Sequence, residues 1–203
     1  LCRNDPVLEL AALIAALVHD LRHPGYTNQF LQASGHDLVE EYGAVATAEK
    51  MHVAAFLELM SDPELDFLAP LSAEDRARVL GVVEDLVLAT DMSLHMAFIE
   101  APVPSDAHEA VSLRLKFAMK AADLSHIARG FRVHNRFTDM LKAEFYAQGD
   151  EEKAQSQQAS NGMEEANRQV AASQVQFLRN FILPFYDKFL DLCGKDSLLV
   201  EQL

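Results

Sequence analysis

His19, Asp20 and His23 stand in HDLRH, directly after the most apolar stretch of the chain, VLELAALIAALV (7–18). Imidazole and carboxylate are the donors that zinc, magnesium and manganese accept. On a helix, His19 and His23 project from one face, with Asp20 on its flank. One helix cannot close a metal site, so further ligands must come from elsewhere. Three other apolar segments offer them: Asp123 in KFAMKAADLSH, Thr90-Asp91 with His95 in LVLATDMSLHM, and Glu49 with His52 in ATAEKMHVAAF. Taken singly, a His or Asp at a helix end is more often a cap or a solvated residue. Asp123 alone reads as an N-cap for the next turn, with Ser125 adding to it. Four apolar segments that each hide acidic or imidazole groups change that balance. Burying so many without a counter-charge costs several kcal/mol apiece, which bound cations would offset.

The elements that must position these groups are helical. Period-2 alternation is nearly absent and Ala, Leu, Glu, Lys and Met dominate, which predicts an all-α chain. Asp5-Pro6 reads as an N-cap with proline at the first helical position. The helix it opens is apolar on every side, the pattern of a central buried helix, and Pro24-Gly25 ends it after His23. Further helices are expected over Gln29–His36 and Ala46–Met60. A long one opens at the Ser72 capping pattern and runs through ARVLGVVEDLVLATDMSLHMAFI. Others are expected from Asp106 through LRLKFAMKAADLS, over Arg136–Gln148, and over Ala171–Leu192 with an interruption at Pro184. Residues 149–166, rich in Gln and Ser, read as a surface loop or a poorly ordered helix. No repeat or linker divides the chain, so residues 1–203 are expected to form one domain.

With 203 residues, half of them hydrophobic, the chain can bury a sizeable core. The net charge of −14 leaves no electrostatic footprint for a nucleic acid. An anionic ligand would need local help from a metal or a helix N-terminus. Cys2 and Cys193 show no disulfide or metal spacing, which predicts a reducing, intracellular (cytoplasmic) setting. No stretch reaches the ~20 apolar residues of a membrane span, and the start lacks a signal peptide's features. The chain opens on LCRNDP without a methionine, as expected of a piece of a longer protein.

HDLRHPGYTNQF resembles the HDxDHPGxxN signature of class I 3',5'-cyclic nucleotide phosphodiesterases. LVLATDMSLHM, KAADLSH, FTDMLKAEFYAQGDEE and SQVQFLRNFILPFYDKF resemble further family motifs, in the family's order and at compatible spacings. The resemblance runs from about Glu9 to Leu192 and is weakest over 101–110 and the Gln-rich stretch. It implies an all-α metallohydrolase domain of the HD phosphodiesterase type. Such a domain opens the cyclic phosphate of cAMP or cGMP by in-line attack of a hydroxide bridging two divalent cations, commonly zinc and magnesium, or manganese. His19, Asp20 and Asp123 match the ligands of the tighter metal, and Asp20 would also reach the second. His23, Glu49, His52 and Thr90 match residues that hold the second metal's waters. Gln174 matches the glutamine that holds the purine edge, and Phe177 the aromatic that stacks on the base. Leu141 stands at the opposite aliphatic jaw, and Met92 at the pocket lining. Read without the family, Phe177 and Met92 are core residues. A glutamine amide can face either way round, so cAMP and cGMP are not distinguished.

The family's HNxxHAxxV segment, which supplies a metal-binding histidine and the general-acid histidine, is absent from these 203 residues. The resemblance therefore implies either that this segment lies upstream or that the domain is a silent regulatory or scaffolding relative. A different HD-type phosphohydrolase is the enzymatic rival, and Gln174 with Phe177 argues against it. Arg22 replaces the second Asp of HDxDH and is expected to point off the ligand face. Its charge would weaken metal affinity or pair with a nearby carboxylate. Lys50, Met51, His126 and Ile127 depart from the usual residues, which bears on nucleotide preference rather than fold.

Overall fold

In a computed structural model, residues 5–155, 160, 163 and 170–193 are described. They form ten α-helices and no strand: α1 (Pro6–Val18), α2 (Asn28–Ser34), α3 (Asp37–Tyr42), α4 (Thr47–Ser61), α5 (Ala73–Leu88), α6 (His95–Glu100), α7 (Ala107–Asp123), α8 (Phe131–Ala154), α9 (Val170–Phe177) and α10 (Leu183–Cys193). Short 3-10 turns precede α6 and follow α7, and a π turn joins α9 to α10. No helix among the described residues is long and apolar enough to cross a membrane.

The caps do what their residue types dictate. Asp5 accepts the Leu8 N–H with Pro6 at N1, Ser72 accepts that of Asp75, and Asp106 accepts those of His108 and Glu109. Two departures from the sequence reading concern α1. Only Ala11, Ile14 and Ala15 of that helix are buried, while Leu13 and Leu17 are 61% and 83% exposed. It is packed from one side, not central. It also stops at Val18, so HDLRH forms turns and His19 and His23 do not share a helical face.

Other boundaries moved too. The helix expected from Ser72 onward is cut at Ala89–Asp91, where Asp91 accepts the Ser93 N–H and starts a new turn. α8 starts earlier and ends later than 136–148, and α3 was not foreseen. The last helix is interrupted at Leu178–Ile182, just before Pro184. A π turn there absorbs the hydrogen bond that proline cannot donate.

Two apolar clusters hold the bundle. Ala11, Ile14 and Ala15 pack with Val53, Phe56 and Met60 of α4, and with Val79, Val83, Leu86 and Val87 of α5. Phe117 and Ala121 of α7 pack with Phe185, Phe189 and Leu192 of α10. Leu115 of α7 belongs to the first cluster, so α7 joins the two and carries Asp123 at its C-terminal end. Each buried phenylalanine contributes about 2–3 kcal/mol.

Candidate metal centre and cleft

The turns that follow α1 and α5, the first turn of α4 and the end of α7 meet at one open cleft of about 730 Å³, lined among others by Asp20, His23, Glu49, Thr90, Asp91 and Asp123. α1, α5 and α7 bring negative dipole ends towards it and the first turns of α2 and α4 positive ones, so the carboxylates of Asp20, Glu49, Asp91 and Asp123 set its acidic character. Such a place attracts cations and repels an anion until cations are bound.

His19 Nε2 lies 3.2 Å from Asp20 Oδ2 and 3.5 Å from Asp123 Oδ1. Its Nδ1 donates to Ala16 O at 3.0 Å. Hydrogen bonding to Asp123, then to Asp20, pushes the imidazole up to about 10. His19 in turn holds Asp20 below the ordinary carboxylate range. Asp123 ends α7 and caps nothing with its side chain, contrary to the N-cap reading.

Asp20 serves a second group. Its Oδ1 is 3.9 Å from His52 Nε2, and His52 Nδ1 donates to Leu21 O at 2.7 Å. His52 is buried, which lowers its pKa. His23 stacks on His52 with ring centroids 5.6 Å apart, and its Nδ1 accepts the Gly25 N–H. The donor atoms of His19, Asp20 and Asp123, and separately those of Asp20, His23 and His52, lie within 4.8 Å of one another. These residues fit divalent cations: carbonyls hold the Nδ1–H of His19 and His52, so each Nε2 faces Asp20 and would offer its lone pair to a cation that displaces any proton there.

Glu49 and Thr90 line the same cleft. Burial raises the Glu49 carboxyl above the usual range, against the pull of the Asn28 amide, whose Nδ2 donates to Oε2 at 2.8 Å. Thr90 is buried and donates its hydroxyl to Val87 O. Met92 and Leu141 also line this cleft.

Gln174 and Phe177 stand elsewhere, on α9, and are not among the residues that line the cleft. Phe177 stacks on Phe181. His95, a candidate on its sequence context, is likewise drawn away. It lies in the core against Phe185, its Nε2 donating to Phe181 O at 3.1 Å. Arg22 turns off the ligand face with φ +61° and donates to Glu58 Oε2 at 2.5 Å.

Several residues that shape the cleft were not singled out from the sequence. Asn28 is one, although it is the final residue of HDxDHPGxxN. Lys120 is another: 1% exposed, its Nζ donates to the carbonyls of Ala89, Thr90 and Asp91 at 3.4, 3.0 and 3.0 Å. It caps the end of α5 from α7, and a lysine inside FAMKAAD was the available clue.

The family model described as 3',5'-cyclic nucleotide phosphodiesterase matches residues 4–203. A probable 3',5'-cyclic-AMP phosphodiesterase, pde-4, of Caenorhabditis elegans is 32% identical over 93% of this chain. The 3',5'-cyclic-AMP phosphodiesterases 4C of Mus musculus and Rattus norvegicus are each 29% identical over 93% of it. The chain spans 30%, 29% and 38% of the lengths of these three relatives. With the family match running over nearly all of its residues, the chain belongs to the 3',5'-cyclic nucleotide phosphodiesterase family.

Proposed function

We propose that this chain is the metal-binding portion of a single catalytic domain that hydrolyses the 3',5'-cyclic phosphate of cAMP, and of cGMP where the base site admits it, to a 5'-nucleotide in an intracellular setting. The observation that carries the reading is the convergence of two donor groups on Asp20 in one acidic cleft. His19, Asp20 and Asp123 would hold one divalent cation of the zinc type. Asp20 would share the second, magnesium or manganese, whose waters His23, Glu49, His52 and Thr90 would face. When bound, such cations supply a nucleophile at neutral pH and neutralise phosphate charge.

The chain's own residues do the remaining work. The Ala16 and Leu21 carbonyls fix the two imidazoles so that neither Nε2 carries the proton when a cation is present. Glu49 offers a half-buried carboxylate at the cleft to a solvent hydroxyl. Met92 and Leu141 give the cleft an apolar wall for a base. Gln174 and Phe177 would supply the amide and ring that grip the purine, a role that requires α9 to face α8 when nucleotide is present.

The test is hydrolysis of cAMP and cGMP with zinc, magnesium or manganese, by this chain and by the longer protein that contains it. Metal-dependent release of 5'-nucleotide supports the reading. Nucleotide binding without turnover in both would make the domain a silent relative, and neither binding nor turnover would remove it.

A further inference from the structure

One wall of the cleft is tied to a buried chain of hydrogen bonds that begins outside it. We propose that Gln148 and Glu152 of α8 are positioning residues which, through Thr27 and Asn28, hold Glu49 at the cleft; this rests on the reading of Glu49 as cation-facing.

Both side chains are 2% exposed. Gln148 Nε2 donates to Glu152 Oε1 at 2.9 Å, and Gln148 Oε1 accepts the Thr27 N–H at 2.9 Å from 121 residues away. Thr27 caps α2. Its neighbour Asn28 accepts the Ala48 N–H at 2.9 Å and donates to Glu49 Oε2 at 2.8 Å. α4 depends on this contact. Its own N-cap, Ala46, is left-handed with φ +52° and gives no side-chain bond, so Asn28 caps the helix from outside.

The other end of the chain is equally fixed. Glu152 accepts the N–H of Ser160 at 2.5 Å and its hydroxyl at 2.9 Å. A Cβ on Gly149 would stand 1.8 Å from Met163 O, so only glycine lets that backbone lie against α8 between the two side chains.

Apolar residues of similar volume would fill this space without the cost of burying an amide and a carboxylate. What the polar pair adds is direction. The Gln148 amide must turn its NH2 to Glu152 and its oxygen to Thr27, so the turn carrying Asn28 has one allowed position.

The test exchanges the roles of the two residues. Gln148→Glu sets two carboxylates against each other across a 2.9 Å contact. The double variant Gln148→Glu/Glu152→Gln restores a donor facing an acceptor and leaves Thr27 its partner. Amide exchange is read at Thr27 and Ala48, and manganese affinity by calorimetry, on the full chain. The single variant is expected to speed exchange at both amides and weaken manganese binding about tenfold. The double variant should return both towards the parent. A single variant that lowers Tm but leaves exchange and affinity unchanged would overturn the proposal, as would a double variant without rescue. Glu49→Gln separates the two readings: unchanged manganese affinity there removes the role of Glu49, while the exchange rates still decide the tie.

Discussion

The side of the cleft built from the turns after α1 and α5 and the end of α7 differs from the α8 wall, and from α9 outside the cleft, in how its residues are held. On the first side the imidazoles and Thr90 are anchored by backbone, and Asp20 and Asp123 are paired with His19. Carbonyls hold His19 and His52, Thr90 bonds to Val87 O, and Lys120 gathers three carbonyls of the Ala89–Asp91 turn. On the second side Leu141 is 41% exposed, and Phe177 stacks on Phe181. The contrast follows from chemistry. Metal coordination needs donors within tenths of an ångström, and fixed dipoles provide that. A planar base is gripped by apolar surfaces that tolerate sliding, and their order can wait for the ligand.

The sharpest way to break this comparison is Asp123→Ala. It removes a donor at the C-terminal end of α7, the helix that joins the two clusters. Expected are loss of bound metal by elemental analysis and a fall in turnover beyond the about 100-fold that losing an outer partner costs. Unchanged metal content would show that the rigid side is not built for a cation.

Lys120→Met comes next. Its stem is replaced at similar volume, but the carbonyls of Ala89, Thr90 and Asp91 lose their donor. A loss of about 1–3 kcal/mol is expected in denaturant unfolding, from the desolvated carbonyls. If stability held, the turn carrying Thr90 would owe its place to packing, and the two sides would be alike.

How far the sequence shows this contrast depends on what kind of contact is involved. The caps at Asp5 and Ser72 are local, and they were legible with the all-α fold. That His19, Asp20 and Asp123 come together was expected from charged groups in apolar runs and the family resemblance, and they do lie within reach of one another. The route by which they meet was not legible. α1 stops at Val18, and His19 approaches Asp123 across a turn where a helical face was expected. Hydropathy says what can be buried, not which neighbour covers it, so Leu13 and Leu17 read as core although they face outward. Lys120, Asn28 and Gln148 act on backbone groups far along the chain, and no spacing rule encodes a contact across 121 residues.

The adaptable side is tested by Gln174→Ala. About a tenfold loss of nucleotide affinity by calorimetry is expected if this amide meets the base, equivalent to ~1.4 kcal/mol. The fold should be untouched, because the side chain is half-buried on α9. Unaltered affinity would remove Gln174 from the base site and leave Leu141 and Met92 as its described walls.

The smallest effect is expected at Arg22, the residue of HDLRH that the sequence made most conspicuous. Its φ of +61° is a conformation that costs an L side chain about 1–2 kcal/mol and glycine almost none. Its pair with Glu58 is exposed on both sides, and such pairs return about 0–1 kcal/mol. Arg22→Gly therefore exchanges a strained backbone for a weak ion pair, against the added chain entropy of glycine. The balance is a change in unfolding free energy within about 1 kcal/mol, on the stabilising side. Manganese affinity should stay within about twofold, because the guanidinium faces Glu58 and is screened by solvent. A large rise in affinity would mean that the charge reaches the cations. The rigid side would then hold its donors against an opposing field, which the geometry of Arg22 argues it does not.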